Sequence, residues 1–183
     1  MVELFEQAND NFLINNDSLF LSNVNERSLC SALMLCLNNQ IVSEPSFKGY
    51  YTDVEYNRNQ GKIKTIIQTN QGQKSKIVTI NCDLILHSRG EHPEQDNLIA
   101  IEMKKSTRSK EERNADRDRL KALTADSFDN IWSFDGQTLP EHVCRYVLGV
   151  YYEINIRQNT ILIEYYRQGE LINQYQIKRT TKK

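Results

Sequence analysis

Two apolar segments in the middle of the chain, Lys76–His87 and Leu98–Lys104, alternate between the two faces that a β-strand presents. This period of two predicts strands, because successive side chains of a strand point to opposite sides of a sheet. Asp83 lies away from the apolar face of the first strand, and Glu102 and Lys104 emerge side by side from the second. Neighbouring strands would bring these three side chains together. In the first strand, the predicted apolar face consists of Val78, Ile80, Cys82, Leu84 and Leu86. In the second strand, one face consists of Ile99, Ile101 and Met103, and the opposite face carries Leu98 and Ala100 together with Glu102.

Helices and further strands are predicted on both sides of this pair. Leucines at four-residue spacing predict a helix over Val24–Leu37, ended by Asn38-Asn39, and good helix formers predict a second over Ser109–Leu123. The other predicted strands are Phe47–Tyr56, Val143–Ile154, Thr160–Tyr166 and Glu170–Ile177. The first twenty residues receive no firm assignment, and the basic tail 178–183 is expected to fray.

The order of helix, three strands, helix and strand predicts an α/β fold with a central mixed sheet flanked by helices. We expect a single domain over residues 1–183, with a core at about 24–154 and an extra C-terminal hairpin at 160–177.

Composition excludes several classes of protein. No apolar run approaches the roughly 18–20 residues that cross a bilayer, and residues 1–10 lack the basic and apolar regions of a signal peptide. The four cysteines form no CxxC pair, which favours buried thiols in a reducing cytoplasm. The net charge is −1, so nucleic-acid binding would require clustered basic residues. We therefore expect a cytoplasmic protein without membrane association.

Asp83, Glu102 and Lys104 together indicate a metal-dependent hydrolytic site. Two carboxylates close together resist joint ionisation unless a cation lies between them. Oxygen ligands with open positions suit Mg²⁺ or Mn²⁺. A neighbouring ammonium can position a metal-bound water and offset the charge on a phosphate. The combination is typical of phosphodiester hydrolysis.

The segments Asp83-Leu84-Ile85-Leu86 and Ile99-Ala100-Ile101-Glu102-Met103-Lys104 resemble the PD-(D/E)xK nuclease superfamily, which has a restriction-endonuclease-like core with this order of elements. The resemblance covers about residues 24–154. It implies that Asp83 and Glu102 bind the metal, that Lys104 is the catalytic lysine and that Glu26 is a further acidic ligand. It also implies a DNA nuclease that leaves 5′-phosphate and 3′-hydroxyl ends. Cys82 departs from the motif, which has proline at this position.

Structural alternatives exist for these residues. Asp83 and Lys104 could form only a cross-strand ion pair. Glu26 could instead close a capping box with Asn23, which precedes it by three residues. If the contact between Asp83 and Lys104 is only structural, the chain would be an α/β domain unrelated to nucleic acids. Another acid, Glu55, lies on a predicted strand and could replace Glu26 in the metal site, or it could pair with one of two arginines, Arg58 and Arg89.

A basic stripe on the second helix is the main candidate DNA contact. Its members are spaced by three, four and four residues, which places them on one helix face: Lys110, Arg113, Arg117 and Lys121. Lys105 and Arg108 lead into the stripe, and Arg58 is a further candidate. Such a face would bind phosphate backbone. The alternative is a solvated face balanced by Glu111, Glu112, Asp116 and Asp118, while the opposite side is expected to seat the helix on the sheet through Asp116, Leu120 and Leu123.

The sequence thus predicts a metal-dependent nuclease that acts on DNA, in a defence, mobile-element or repair context, with RNA as an alternative substrate. Double-strand cutting would require two sites, and hence a homodimer or a larger protein complex. The alternative function is a catalytically inactive nuclease-fold module that binds nucleic acid or a protein partner.

Overall fold

A six-stranded mixed sheet organises the structure, with the strand order β1-β6-β7-β8-β9-β10. The computed structural model describes residues 1–56, 82–126 and 144–179 in full, and only the backbone of four short strands between residues 58 and 79. Those short strands form two separate hairpins, β2-β3 and β4-β5. The strands are β1 (Tyr51–Val54), β2 (Arg58–Asn59), β3 (Lys62–Ile63), β4 (Thr65–Gln68), β5 (Lys76–Thr79), β6 (Leu84–His87), β7 (Asn97–Lys105), β8 (Leu148–Asn155), β9 (Thr160–Arg167) and β10 (Glu170–Lys178).

The sheet is antiparallel except at β7 and β8, which run parallel. Two parallel strands have to be joined by a crossover connection, and the connection between β7 and β8 contains a helix. The prediction of an α/β fold with a central mixed sheet flanked by helices is confirmed. The main-sheet order of helix, β1, β6, β7, helix and β8 also follows the predicted one, with the two small hairpins inserted between β1 and β6.

Helices cover both faces of the sheet, and four are described: α1 (Val2–Asn15), α2 (Asp17–Leu21), α3 (Glu26–Val42) and α4 (Lys110–Thr124). The core on one face joins α1, α2 and α3 to the sheet, and the smaller core on the other face includes α4. The first fifteen residues form a packed helix because Phe5, Ala8 and Phe12 recur at helical spacing and are fully buried. No helix among the described residues has the length and apolar character needed to span a membrane.

The first predicted helix differs from α3 at its C-terminal end. Asn38-Asn39 does not end it, and the helix continues to Val42. The reason is that Ile41 extends the buried stripe of Leu33 and Leu37 by one more turn. The second predicted helix is confirmed as α4, which begins after a capping box formed by Ser109 and Glu112.

Three predicted strands differ from the observed ones by more than a single residue at one end. The segment Lys76–His87 is divided between β5, which pairs with β4, and β6, which lies in the main sheet. The strand predicted at Phe47–Tyr56 covers only β1, since a 3₁₀ turn occupies Pro45–Phe47 and Glu55 has a positive φ of 50°. The strand predicted from Val143 begins at Leu148, and Val143 itself lies outside the described residues.

Two side chains lie on the face opposite to the predicted one. Cys82 belongs to the core on the α4 side rather than with Leu84 and Leu86, and Leu98 belongs to the core on the α3 side rather than with Ala100. Both residues lie where regular alternation stops. Cys82 precedes β6, and the β6–β7 register shifts between Leu86 and His87, opposite the start of β7.

The predicted C-terminal hairpin is confirmed as β9 and β10, which turn through Gln168 and Gly169, both at positive φ. The basic tail does not fray at its first residues. Lys178 ends β10, and Arg179 is buried against the Phe20 ring and paired with Asp17. Residues 180–183 lie outside the described part of the chain.

Gly149 on β8 sets the approach of α4 to the sheet. A Cβ at this position would lie 2.9 Å from Thr124 Cγ2 and 3.2 Å from Tyr166 Cβ. We therefore expect Gly149→Ala to lower the free energy of unfolding by about 1–3 kcal/mol, because the helix must move away from the strand. Urea unfolding measures this loss.

A second substitution identifies the cause. Thr124→Ser removes the obstructing methyl group and keeps the hydroxyl that bonds Leu120 O and Gly169 N. Adding Thr124→Ser to Gly149→Ala should recover part of the lost stability. If the stability losses of Gly149→Ala and Thr124→Ser simply add in the double variant, the close approach of α4 is not the reason that position 149 requires glycine.

Candidate active site

Asp83 and Lys104 meet at the point where β6 begins. Asp83 immediately precedes β6, and its Oδ2 accepts a hydrogen bond of 2.8 Å from the backbone N–H of Met103 on β7. This bond fixes the carboxylate across the two strands. The Nζ of Lys104 lies 3.6 Å from the same oxygen. Burial opposes the charge on Lys104, but Asp83 and Asp116 outweigh it, so the pKa of the lysine lies above its usual value.

Glu102 is fully buried beside this pair, on the face of β7 that α4 covers. Its Oε1 accepts a hydrogen bond of 2.7 Å from Arg119 Nη1, and its Oε2 has no hydrogen-bond partner among the described groups. Burial and repulsion by Asp83 raise the pKa of Glu102 to about 8, although Arg119 acts in the opposite direction. Glu102 thus holds an unpaired acceptor atom in the interior.

Helix α4 adds two residues to the cluster. Asp116 is buried as predicted on the side of the helix that faces the sheet, and it lies 3.3 Å from Lys104 Nζ and 3.2 Å from Arg119 Nη1. The sequence indicated Asp116 as a residue that seats the helix or balances the basic stripe, and it did not indicate Arg119. The signal was present, because Arg119 follows Asp116 by three residues and shares its face with Leu120 and Leu123.

Glu26 does not close the predicted capping box. The N-cap of α3 is Asn25, whose side chain accepts from Ser28 N at 2.8 Å, so the capping box with Asn23 is wrong. The Glu26 carboxylate instead accepts hydrogen bonds from the backbone of Lys105 at 2.9 Å and from the Arg108 guanidinium at 3.1 Å. Burial alone would raise the pKa of Glu26, but these donors lower it below its usual value.

Glu55 also has a partner that the sequence did not indicate. It follows β1 and pairs with Arg27 on the first turn of α3. Arg89 pairs with Asp53 instead of Glu55. The side chain of Arg58, predicted as a partner of Glu55 or as a DNA contact, lies outside the described residues.

A cavity of about 440 Å³ opens beside Asp83, between the first turn of α3 and the end of β1. Three carboxylates and two arginines contribute to its wall. The lining residues are Asn25, Glu26, Arg27, Cys30, Glu55, Asp83 and Arg108. The cavity gives a ligand of several atoms direct access to Asp83.

Internal ion pairs divide the basic stripe of α4. Arg113 donates to Glu153 on β8 at 3.0 Å, and Arg117 donates to Glu164 on β9 at 2.8 Å. The carboxylates of the helix itself, proposed as the balancing charges, are not the main partners of these two arginines. Lys110 and Lys121 are exposed. The four residues therefore share a side of the helix but do not form one free cationic surface.

Comparison with known proteins adds no identification: no protein-family profile, no curated protein and no solved structure matches the chain.

The donor atoms at Asp83 and Glu102 fit a hard divalent cation. Carboxylate oxygens are the ligands that Mg²⁺ prefers, and Glu102 Oε2 is a buried acceptor without a hydrogen bond. Among the described residues, no group of three or more histidine, cysteine, aspartate or glutamate side chains is placed to hold a metal ion. Glu26 and Glu55 thus do not complete a preformed cage. Mg²⁺ commonly uses one or two carboxylates together with waters and substrate phosphate.

Proposed function

We propose that this protein is a metal-dependent nuclease of the PD-(D/E)xK type that hydrolyses phosphodiester bonds in DNA. The observation that carries the proposal is the meeting of Asp83 and Lys104, whose Nζ lies 3.6 Å from Asp83, next to the fully buried Glu102 two residues earlier on the same strand. The order of α3, β1, β6, β7, α4 and β8 supports it, since a restriction-endonuclease-like core has the same order.

Each residue has a defined task in this reaction. Asp83 and Glu102 would hold Mg²⁺ or Mn²⁺, which supplies an activated water and a Lewis acid for the phosphate. Lys104 directs its ammonium toward the Asp83 side of the site, where it can donate to the attacking water or to a phosphate oxygen. The backbone N–H of Met103 keeps Asp83 oriented toward this point.

The cavity beside Asp83 is the expected path of the nucleic-acid strand. Arg27 and Arg108 line it and are exposed, while each is paired with a carboxylate. The Arg27–Glu55 pair is the more exposed of the two, and exposed ion pairs contribute only about 0–1 kcal/mol, so a phosphate oxygen can replace Glu55 on Arg27. Lys105, Lys110 and Lys121 provide further positive charge near the start of α4 and along its outer surface.

Incubation with supercoiled plasmid, single-stranded DNA and single-stranded RNA, each with Mg²⁺, Mn²⁺ or EDTA, tests the proposal. We expect cleavage that requires metal and is lost in Asp83→Asn. Nicked plasmid would indicate single-strand cutting, and linear product would indicate a paired site in a homodimer or larger complex. Absence of cleavage under every condition, or cleavage that persists in Asp83→Asn, contradicts the nuclease.

The contact between Glu102 and Arg119 supports one alternative, an inactive nuclease-fold module that binds nucleic acid or a protein. In that protein the guanidinium of Arg119 occupies the carboxyl oxygen of Glu102 that a metal ion would otherwise contact. Thermal unfolding separates the two functions. A ligand that binds only the folded state raises the melting temperature, so Mg²⁺ or Mn²⁺ should raise it for the nuclease and leave it unchanged for the inactive module.

A further inference from the structure

Asp116 is a buried charge that the three-residue motif does not include. It lies on the face of α4 that also carries Leu120 and Leu123, and it is 3% exposed. A carboxylate in such a position loses hydration, which is costly unless charged partners compensate. An apolar side chain would seat the helix without this cost. The charge of Asp116 therefore requires an explanation other than packing.

The contacts of Asp116 link it to both ends of the Glu-x-Lys segment. Its Oδ2 lies 3.3 Å from Lys104 Nζ, and its Oδ1 lies 3.2 Å from Arg119 Nη1. The same Nη1 atom lies 2.7 Å from Glu102 Oε1. One carboxylate on α4 thus contacts Lys104 directly and Glu102 through Arg119.

The geometry points to Asp116 as a positioning residue that holds the ammonium of Lys104 between α4 and Asp83. The inference rests on the proposed nuclease function and adds a fourth residue, and a third acidic one, to its site. Lys104 has two carboxylates within 4 Å among the described residues, Asp83 at 3.6 Å and Asp116 at 3.3 Å. Without Asp116, the flexible lysine would pair with Asp83 alone and would compete there with the metal.

A double-mutant cycle with Lys104 tests this role. We expect Asp116→Asn to lower the cleavage rate at saturating DNA by roughly 10–100-fold, the usual effect of losing a residue that orients a metal site. In the Lys104→Ala background the same substitution should cause no further loss, because Asp116 acts through Lys104. Equal losses in the two backgrounds, or an unchanged rate in Asp116→Asn, would overturn the inference.

Asp118→Asn is the matched control. Asp118 lies on the same helix, is exposed and contacts Lys121 at 3.5 Å, so its loss should leave cleavage unchanged. Because asparagine has the shape of aspartate, Asp116→Asn is expected to retain a cooperative melting transition. A loss in Asp118→Asn equal to that in Asp116→Asn would assign the effect to the helix surface and contradict a specific role.

Thermal unfolding in EDTA provides a second measurement that does not depend on cleavage. If Asp116 holds Lys104, the fall in melting temperature in the double variant should be smaller than the sum of the two single changes. Additive changes would refute the contact. A wild-type protein that cleaves no substrate would refute the nuclease itself, and this unfolding cycle alone would then decide whether Asp116 holds Lys104.

Discussion

Lys104→Ala is expected to reduce metal-dependent DNA cleavage by roughly 10²–10⁴-fold, the range observed when a positioned proton donor or charge stabiliser is removed. Lys104 is the one described cation within ion-pair distance of Asp83, so no neighbouring side chain can replace it. The loss should appear in kcat, because the ammonium acts where charge develops on the phosphate. The KM for DNA should change little, since the exposed basic residues along the cavity and α4 remain.

Lys178→Ala is the control for this experiment. Lys178 is an exposed lysine at the end of β10, three strands away from β7 in the sheet. The two variants lose the same charge, so any difference between them reflects position. Wild-type cleavage by Lys104→Ala would remove the lysine from the mechanism. Comparable losses in both variants would indicate an effect of net charge on DNA binding.

The strand that carries the site could be predicted because its pattern is strong. β7 is nine residues long and contains six consecutive buried residues, and a run of that length and composition fits few other structures. Alternation then placed Glu102 and Lys104 on one face. Alternation gave the wrong face for Leu98, which lies beside a register shift, and for Cys82, which lies before the first residue of β6. Alternation predicts faces only where pairing is regular.

The partners of the charged residues could not be predicted from spacing along the chain. Helical spacing places Arg113 and Arg117 on one side of α4, but their counter-ions, Glu153 and Glu164, come from strands about forty residues later. Only the packing of α4 over β8 and β9 brings those carboxylates beneath the helix. The basic stripe was therefore predicted as a DNA surface, although both of its arginines are paired with carboxylates of the sheet.

The same limit applies to the acids around Asp83. Position in the first helix indicated Glu26, and its carboxylate does lie near the end of β7, but it bonds the backbone of Lys105 and the side chain of Arg108. The N-cap depends on whether Asn23 or Asn25 begins the helix, and the sequence Asn23-Val24-Asn25 permits either. Local geometry at Asn23, which has a positive φ of 51°, excludes it from that role.

Glu102→Gln should abolish cleavage and at the same time stabilise the metal-free protein at alkaline pH. In the folded protein Glu102 keeps its proton up to a pH of about 8, whereas a free carboxyl ionises near 4.5. Between these values the folded state binds one more proton than the unfolded chain. The stability of the wild type in EDTA therefore falls as pH rises through this window. Glutamine is neutral at every pH, and Arg119 keeps Asp116 as a partner.

We expect the variant to gain at least ~1 kcal/mol over the wild type at about pH 9, since a shift of one pKa unit is worth ~1.4 kcal/mol, and to differ little at about pH 5. For a chain of this length each kcal/mol corresponds to roughly 2–4 °C in melting temperature. Thermal unfolding in EDTA at both pH values measures the difference.

An equal change in stability at both pH values would contradict a raised pKa for Glu102. A gain at alkaline pH accompanied by full cleavage would show that the reaction does not need the Glu102 carboxylate, and it would leave Asp83 as the one proposed metal ligand among the described residues. A gain accompanied by lost cleavage means that the carboxylate destabilises the metal-free fold and is needed for the chemistry.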